Sequence, residues 1–207
     1  INYRNRAGFA AGEPLPIRQT FDNGLAFLDR NHGQDNWFLQ IETFDPHEPF
    51  VSDPEFKRYF SEHYARYAGP EFDWPEYGDV TEPHDQVAHC RYEYAACVAQ
   101  CDYQLGRVLD KMDALGLWED TMLIVCTDHG FFMGEREQWG KIYMPWYEEV
   151  ARTPFWVWDP RSRQADVRRR ALVQPALDIP VTLLRWFGQE PTGDMLGKDL
   201  SGVVAED

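Results

Sequence analysis

Apolar residues recur along this chain with two periods. Phe21, Leu25 and Leu28 share one face at helical spacing, which predicts a helix from Thr20, a candidate cap, to about Asn31. Tyr92, Ala96, Ala99, Leu105, Val108, Leu109, Met112 and Leu115 follow the same spacing within His84 to Gly116. No proline interrupts that stretch, so it predicts the longest helix, with Gly116 ending it. Asp178 to Gly188 predicts another, with Pro180 in its first turn and Gly188 at its end, and Tyr143 to Glu149 a short one. Continuous apolar runs at Trp37–Ile41, Met122–Cys126 and Thr153–Trp158 predict buried strands. A long helix, a short turn and a buried strand in succession form the rhythm of an α/β fold. Ile1 to Pro16 reads as an irregular lead-in.

Prolines at 54, 70, 75 and 83 break up the stretch between the first strand and the long helix. Residues 52–83 therefore read as an excursion with short helical pieces, for instance Pro54 to Tyr64, placed to shape a pocket. Its many aromatic side chains read first as local packing.

Composition narrows the function classes. An apolar share of 43% over 207 residues can supply a real core. The net charge of −15 argues against non-specific nucleic-acid binding, which needs a positive field. No run approaches the roughly 18 apolar residues of a membrane helix. The chain starts at Ile1 rather than Met and shows no targeting pattern, so it reads as starting inside a longer protein. Cys90, Cys97, Cys101 and Cys126 contain no C-x-x-C spacing. They read as free thiols, with Cys126 in a buried strand, and favour a reducing, cytoplasmic setting. A periplasmic or secreted location stays open.

The candidate chemistry lies at the ends of strands. Met122–Cys126 runs into Thr127-Asp128-His129-Gly130, a carboxylate and an imidazole where open α/β sheets bind ligands. Asp and neutral His both ligate divalent cations, and Gly130 permits a sharp turn; an ordinary polar turn explains the same residues equally well. After Trp37–Ile41, Pro46 and Pro49 flank His47 in a loop that presents one imidazole. A surface histidine in a proline turn is the plainer reading. The arginines between Asp159 and Arg170 read as a solvated loop.

The order of these motifs is more specific than any one of them. Pro46-His47-x-Pro49 is followed by the excursion, the long helix ending Leu115-Gly116-Leu117, and the strand into Thr127-Asp128-His129-Gly130. Gly134-Glu135, Gly140-Lys141, Tyr147-Glu148-Glu149, Arg152-x-Pro154 and Asp178-Ile179-x-x-Thr182-Leu183-Leu184 come next. From about residue 20 to 201 this order resembles the middle and later part of a sulfatase of the alkaline-phosphatase superfamily.

The resemblance implies an α/β sandwich around a mostly parallel central sheet, incomplete here, with residues 1–207 forming part of a catalytic domain. It implies hydrolysis of a small-molecule or carbohydrate sulfate ester, with a divalent metal, calcium first and Mg2+ or Mn2+ as alternatives. By position, Asp128 and His129 resemble metal ligands. His47 resembles the histidine that protonates the leaving alcohol, and Lys141 the lysine that touches sulfate and nucleophile. Glu135-Arg136 stands where many relatives have Glu-His, so Arg136 is at most a substrate contact. The family's formylglycine motif, C/S-x-P-S-R, and its early acidic pair do not occur in these residues. The chain alone is therefore expected to be inactive. Asp-His also suits phosphodiesterases and phosphonate monoester hydrolases of the same superfamily. A non-catalytic binding module is the reading from another class.

Overall fold

The computed structural model describes residues 14–141 and 145–205. The lead-in to residue 13, and the start of the helix expected at Tyr143, lie outside the described residues. The chain divides into two compact units, one from residues 1–115 with 132–140, the other from 116–131 with 141–207.

In the first unit, α1 (Pro16–Asn31) buries Ile17, Phe21, Leu25 and Leu28. It starts four residues before Thr20, because Pro16 has its φ preset for the first helical turn and lacks an N–H that would go unpaired there. Two short helices, α2 (Pro54–Lys57) and α3 (Ser61–Arg66), flank a 3-10 turn at Arg58–Phe60. They lie against the long helix α4 (His84–Leu115), which ends at Gly116 in the left-handed conformation, φ 67°. Phe50, Phe56 and Phe60 meet Tyr94, Tyr103 and Tyr92 of α4 at 5.4–5.6 Å between ring centroids. Of the excursion aromatics, Phe56 and Phe60 thus pack against α4, whereas Tyr59 and Trp74 stay exposed.

The buried stripe of α4 is more polar than expected. Ala96, Val108 and Met112 are inside, and so are His89, Glu93, Gln100 and Gln104. Each of these polar residues has at least one partner, although Gln100 Nε2 is buried without a hydrogen bond. Gln100 Oε1 accepts from the Asp53 amide at 2.8 Å, Gln104 Oε1 from Arg107 at 2.7 Å, and Glu93 pairs with Lys57 at 2.5 Å. His89 Nδ1 shares a hydrogen bond with His63 Nε2 at 3.0 Å.

Trp37–Ile41 joins no ladder among the described residues, contrary to expectation. Exposure alternates from Trp37 to Phe44, as in an extended segment, and the outward side chains Phe38 and Phe44 are 55% and 84% exposed. A periodic pattern specifies a conformation, but a ladder needs a second strand. Gly24 of α1 lets this segment approach closely, since a Cβ there would meet Ile41 Cδ1 at 2.5 Å. The sheet of this unit is a small antiparallel one, order β1 (Gly78–Asp79), β4 (Gln138–Gly140), β3 (Phe132–Met133). Trp139 is fully buried in it and donates its indole N–H to Glu82 at 2.8 Å.

In the second unit, β2 (Leu123–Cys126) pairs antiparallel with β5 (Phe155–Trp158), in register Leu123↔Trp158 to Cys126↔Phe155. The parallel pairing expected of β2 is not formed among the described residues. Nor is β2 fully buried: with one ladder partner its residues are half-buried, and Cys126 is exposed. A short helix, α5 (Glu148–Ala151), precedes β5. Helix α6 (Pro175–Trp186) begins three residues before Asp178 and puts Pro180 inside rather than in the first turn. Asp178 is buried because its carboxylate accepts from the Gln174 and Lys198 amides at 2.8 and 2.9 Å, which secures the earlier start. Gly188, φ 68°, closes it. A last short helix, α7, spans Ser201–Ala205.

Candidate active site

The turn after β2 is held by its own side chains. The His129 amide donates to Asp128 Oδ1 at 2.9 Å, and Thr127 Oγ1 donates to the same oxygen at 3.4 Å. His129 Nδ1 lies 3.0 Å from the Gly130 carbonyl oxygen. With that nitrogen donating, the lone pair of His129 Nε2 is left available. Nε2 in turn lies 3.4 Å from Asp128 Oδ2. A carboxylate oxygen and an imidazole lone pair at that separation repel unless a proton or a cation lies between them. Two adjacent ligands of one divalent ion stand at such a distance. The Asp128 side chain is 81% exposed, so its oxygens are open to an ion.

Gly130 fixes where this turn sits. Its amide donates to the Val150 carbonyl of α5 at 2.7 Å. A Cβ on Gly130 would lie 2.0 Å from the Glu149 carbonyl oxygen. The glycine is required for close backbone approach rather than for its dihedral angles, since its φ is outside the positive range. This contact brings α5 to the site, and a cavity of about 400 Å³ results, lined by Asp128, His129, Lys141, Trp146, Val150 and Ala151. Three of the five residues singled out from the sequence therefore share one cavity within the second unit.

His47 and Arg136 belong to the first unit. His47 is half-buried, its Nδ1 2.7 Å from the Glu48 carbonyl oxygen and 3.2 Å from Glu48 Oε2. The Phe44 ring meets it edge-on at 5.2 Å. Arg136 is exposed and adopts φ 55°, in the left-handed region.

Asp128 and His129 suit a divalent cation in donor type and separation. They do not complete a shell, because no group of three or more His, Cys, Asp or Glu that could hold a metal occurs among the described residues. Sequence reading did not identify Trp146 and Val150 as site residues. Neither carries a motif; both reach the cavity through the Gly130–Val150 hydrogen bond, which joins residues twenty positions apart.

The sulfatase family model matches residues 5–189. The chain is 26% identical, over 95% of its length, to the multifunctional alkaline phosphatase superfamily protein PehA of Trinickia caryophylli, of which it spans 44%. It is 28% identical to a choline-sulfatase of Rhizobium meliloti (strain 1021) over 60% of its length, spanning 27% of that protein. Among solved structures, BT4656 in complex with D-glucosamine-2-N,6-O-disulfate superposes with a TM-score of 0.76 at 16% identity, covering 94% of this chain and 53% of that one. A phosphonate monoester hydrolase from Silicibacter pomeroyi gives 0.69 at 22% identity, covering 92% and 41%. The expected α/β fold of the alkaline-phosphatase superfamily stands, and the chain spans less than half the length of these two curated relatives. With the motif order and the Asp128–His129–Lys141 cavity, the match over most of its residues places this chain in the sulfatase family.

Proposed function

We propose that this chain contributes the leaving-group side and part of the metal site of an enzyme that hydrolyses sulfate monoesters. The observation that carries the reading is the meeting of Asp128, His129 and Lys141 in one cavity. Asp128 and His129 would hold the divalent ion, which would offset charge on the sulfuryl oxygens. The Lys141 ammonium adds a second positive charge toward the same group. His47 delivers a proton to the departing alcohol oxygen, the step that relieves charge as the S–O bond breaks. The formylglycine motif that supplies a sulfatase nucleophile is not among these residues, so by themselves they turn over no ester.

Calcium is the ion the family resemblance implies. Calcium shells are built of oxygen, and the His129 nitrogen suits a transition ion such as Mn2+ better. With two protein donors the chain alone binds either ion weakly; tight stoichiometric calcium binding in calorimetry would contradict this. In the complete enzyme, Lys141→Ala or His47→Ala lowers turnover of an aryl sulfate by about 10²–10³ while leaving folding intact. Unchanged turnover in both variants removes the assignment. The second reading, a phosphonate monoester hydrolase, draws on the likeness to the Silicibacter pomeroyi enzyme. Comparing turnover of phenyl sulfate with that of a phenyl phosphonate monoester separates the two.

A further inference from the structure

The lining of the cavity beside the Asp-His turn is of two chemical kinds, the charged or polar Asp128, His129 and Lys141 and the apolar Trp146, Val150 and Ala151. Their spacing is set by backbone, because Gly130 donates to Val150 at 2.7 Å and the close approach leaves no room for a Cβ on Gly130. Val150 is 3% exposed and so is anchored in the unit. Trp146 is not: its side chain remains 53% exposed at the cavity edge. Large aromatic groups are ordinarily drawn out of water. An uncovered indole beside a cation and a carboxylate–imidazole pair is arranged for a ligand with a charged end and a flat apolar end.

Resting on the sulfatase reading of the charged lining, we infer that Trp146 is a specificity-determining residue that stacks on an aryl group of the ester. The side chains of Val150 and Ala151 carry no hydrogen-bonding atom, and the indole carries a single donor. The face of the indole is flat and apolar, the shape an aryl ring presents in offset stacking. The cavity, at about 400 Å³, is within the size range of small-molecule sites.

The test uses the chain itself with two non-hydrolysable anions, naphthalene-2-sulfonate and ethanesulfonate, titrated by ligand-detected NMR. The wild-type chain binds the aryl sulfonate more tightly. Trp146→Ala lowers the aryl-over-alkyl preference by about three- to tenfold, and Trp146→Phe keeps most of it, because a phenyl ring still stacks. Lys141→Ala weakens both anions alike and leaves the preference in place. A preference unchanged in Trp146→Ala, with both anions weakened by Lys141→Ala, overturns the stacking role and spares the anion site. A preference lost in Trp146→Ala, with neither anion affected by Lys141→Ala, upholds the stacking role and counts against Lys141. If neither sulfonate binds the wild-type chain, both assignments fall.

Discussion

Replacing Gly130 by alanine is the sharpest probe of how the Asp-His turn is positioned. The added Cβ would sit 2.0 Å from the Glu149 carbonyl oxygen, 3.0 Å from its carbon and 3.2 Å from Val150 Cα. All three are backbone atoms, so no side-chain rotation relieves the overlap. Ordinary non-bonded contacts need about 3.5 Å, so the strands of chain must part by more than about 1 Å. At that separation the 2.7 Å hydrogen bond from Gly130 to Val150 is lost. Overpacking costs about 1–3 kcal/mol and the lost bond about 1 kcal/mol. Restricting the unfolded chain returns about 0.5–1 kcal/mol. The net is about 1–3.5 kcal/mol, a fall in melting temperature of roughly 2–14 °C for a chain of this size. Circular dichroism melts measure it, with Gly202→Ala as the control. Gly202 lies in the same unit, in α7, and a Cβ there meets nothing within 4 Å. The control should hold or slightly raise the melting temperature. If Gly130→Ala melts within about 1 °C of the wild type, the close approach is wrong, and the positions of α5 and Trp146 with it.

Three further outcomes follow, the first two confined to the first unit. Burial pushes His63 and His89 below their ordinary value, with Glu93 opposing the shift only in part. Both therefore stay neutral in the fold at a pH where the unfolded chain has taken up protons. Stability is full above about pH 6.5 and falls as the pH drops through the lowered values, so melts at pH 7.5 and 5.5 should differ, and less so in His89→Gln. Lys57→Met leaves the buried Glu93 carboxylate without its 2.5 Å partner. Lys57 is part-exposed, so the loss is discounted to about 2 kcal/mol; urea melts should show the double variant Lys57→Met/Glu93→Gln recovering much of it. Burial raises the Cys90 thiol to about 12 and pushes Cys97 upward as well. A thiol reagent at pH 8 should thus label exposed Cys126 first and reach Cys90 and Cys97 only on unfolding.

How much was legible differs from element to element for physical reasons. The long helix could be read because its signals are local: no proline within it, and Gly116 in a left-handed stop. Its buried polar stripe could not, because the partners of Gln100 and Glu93 come from Asp53 and Lys57, far away in sequence. The apolar run Trp37–Ile41 announced an extended segment, but ladder formation depends on a neighbour that no local pattern encodes. Among the site residues, Asp128, His129 and Lys141 were found through motif order, and the structure puts them around one cavity. Trp146 carries no such signature. Its place depends on one inter-segment hydrogen bond and one missing methyl group at Gly130.

The segment from Trp37 to Phe44 has a practical consequence. Phe38 and Phe44 face outward, and no ladder among the described residues occupies the backbone between them. Such an edge templates association with any other extended chain. Self-association through that strip is the expected outcome as concentration rises, with the net charge of −15 opposing it. Salt, which screens the charge, should favour aggregation, and a lysine at Phe38 should act as a gatekeeper against it.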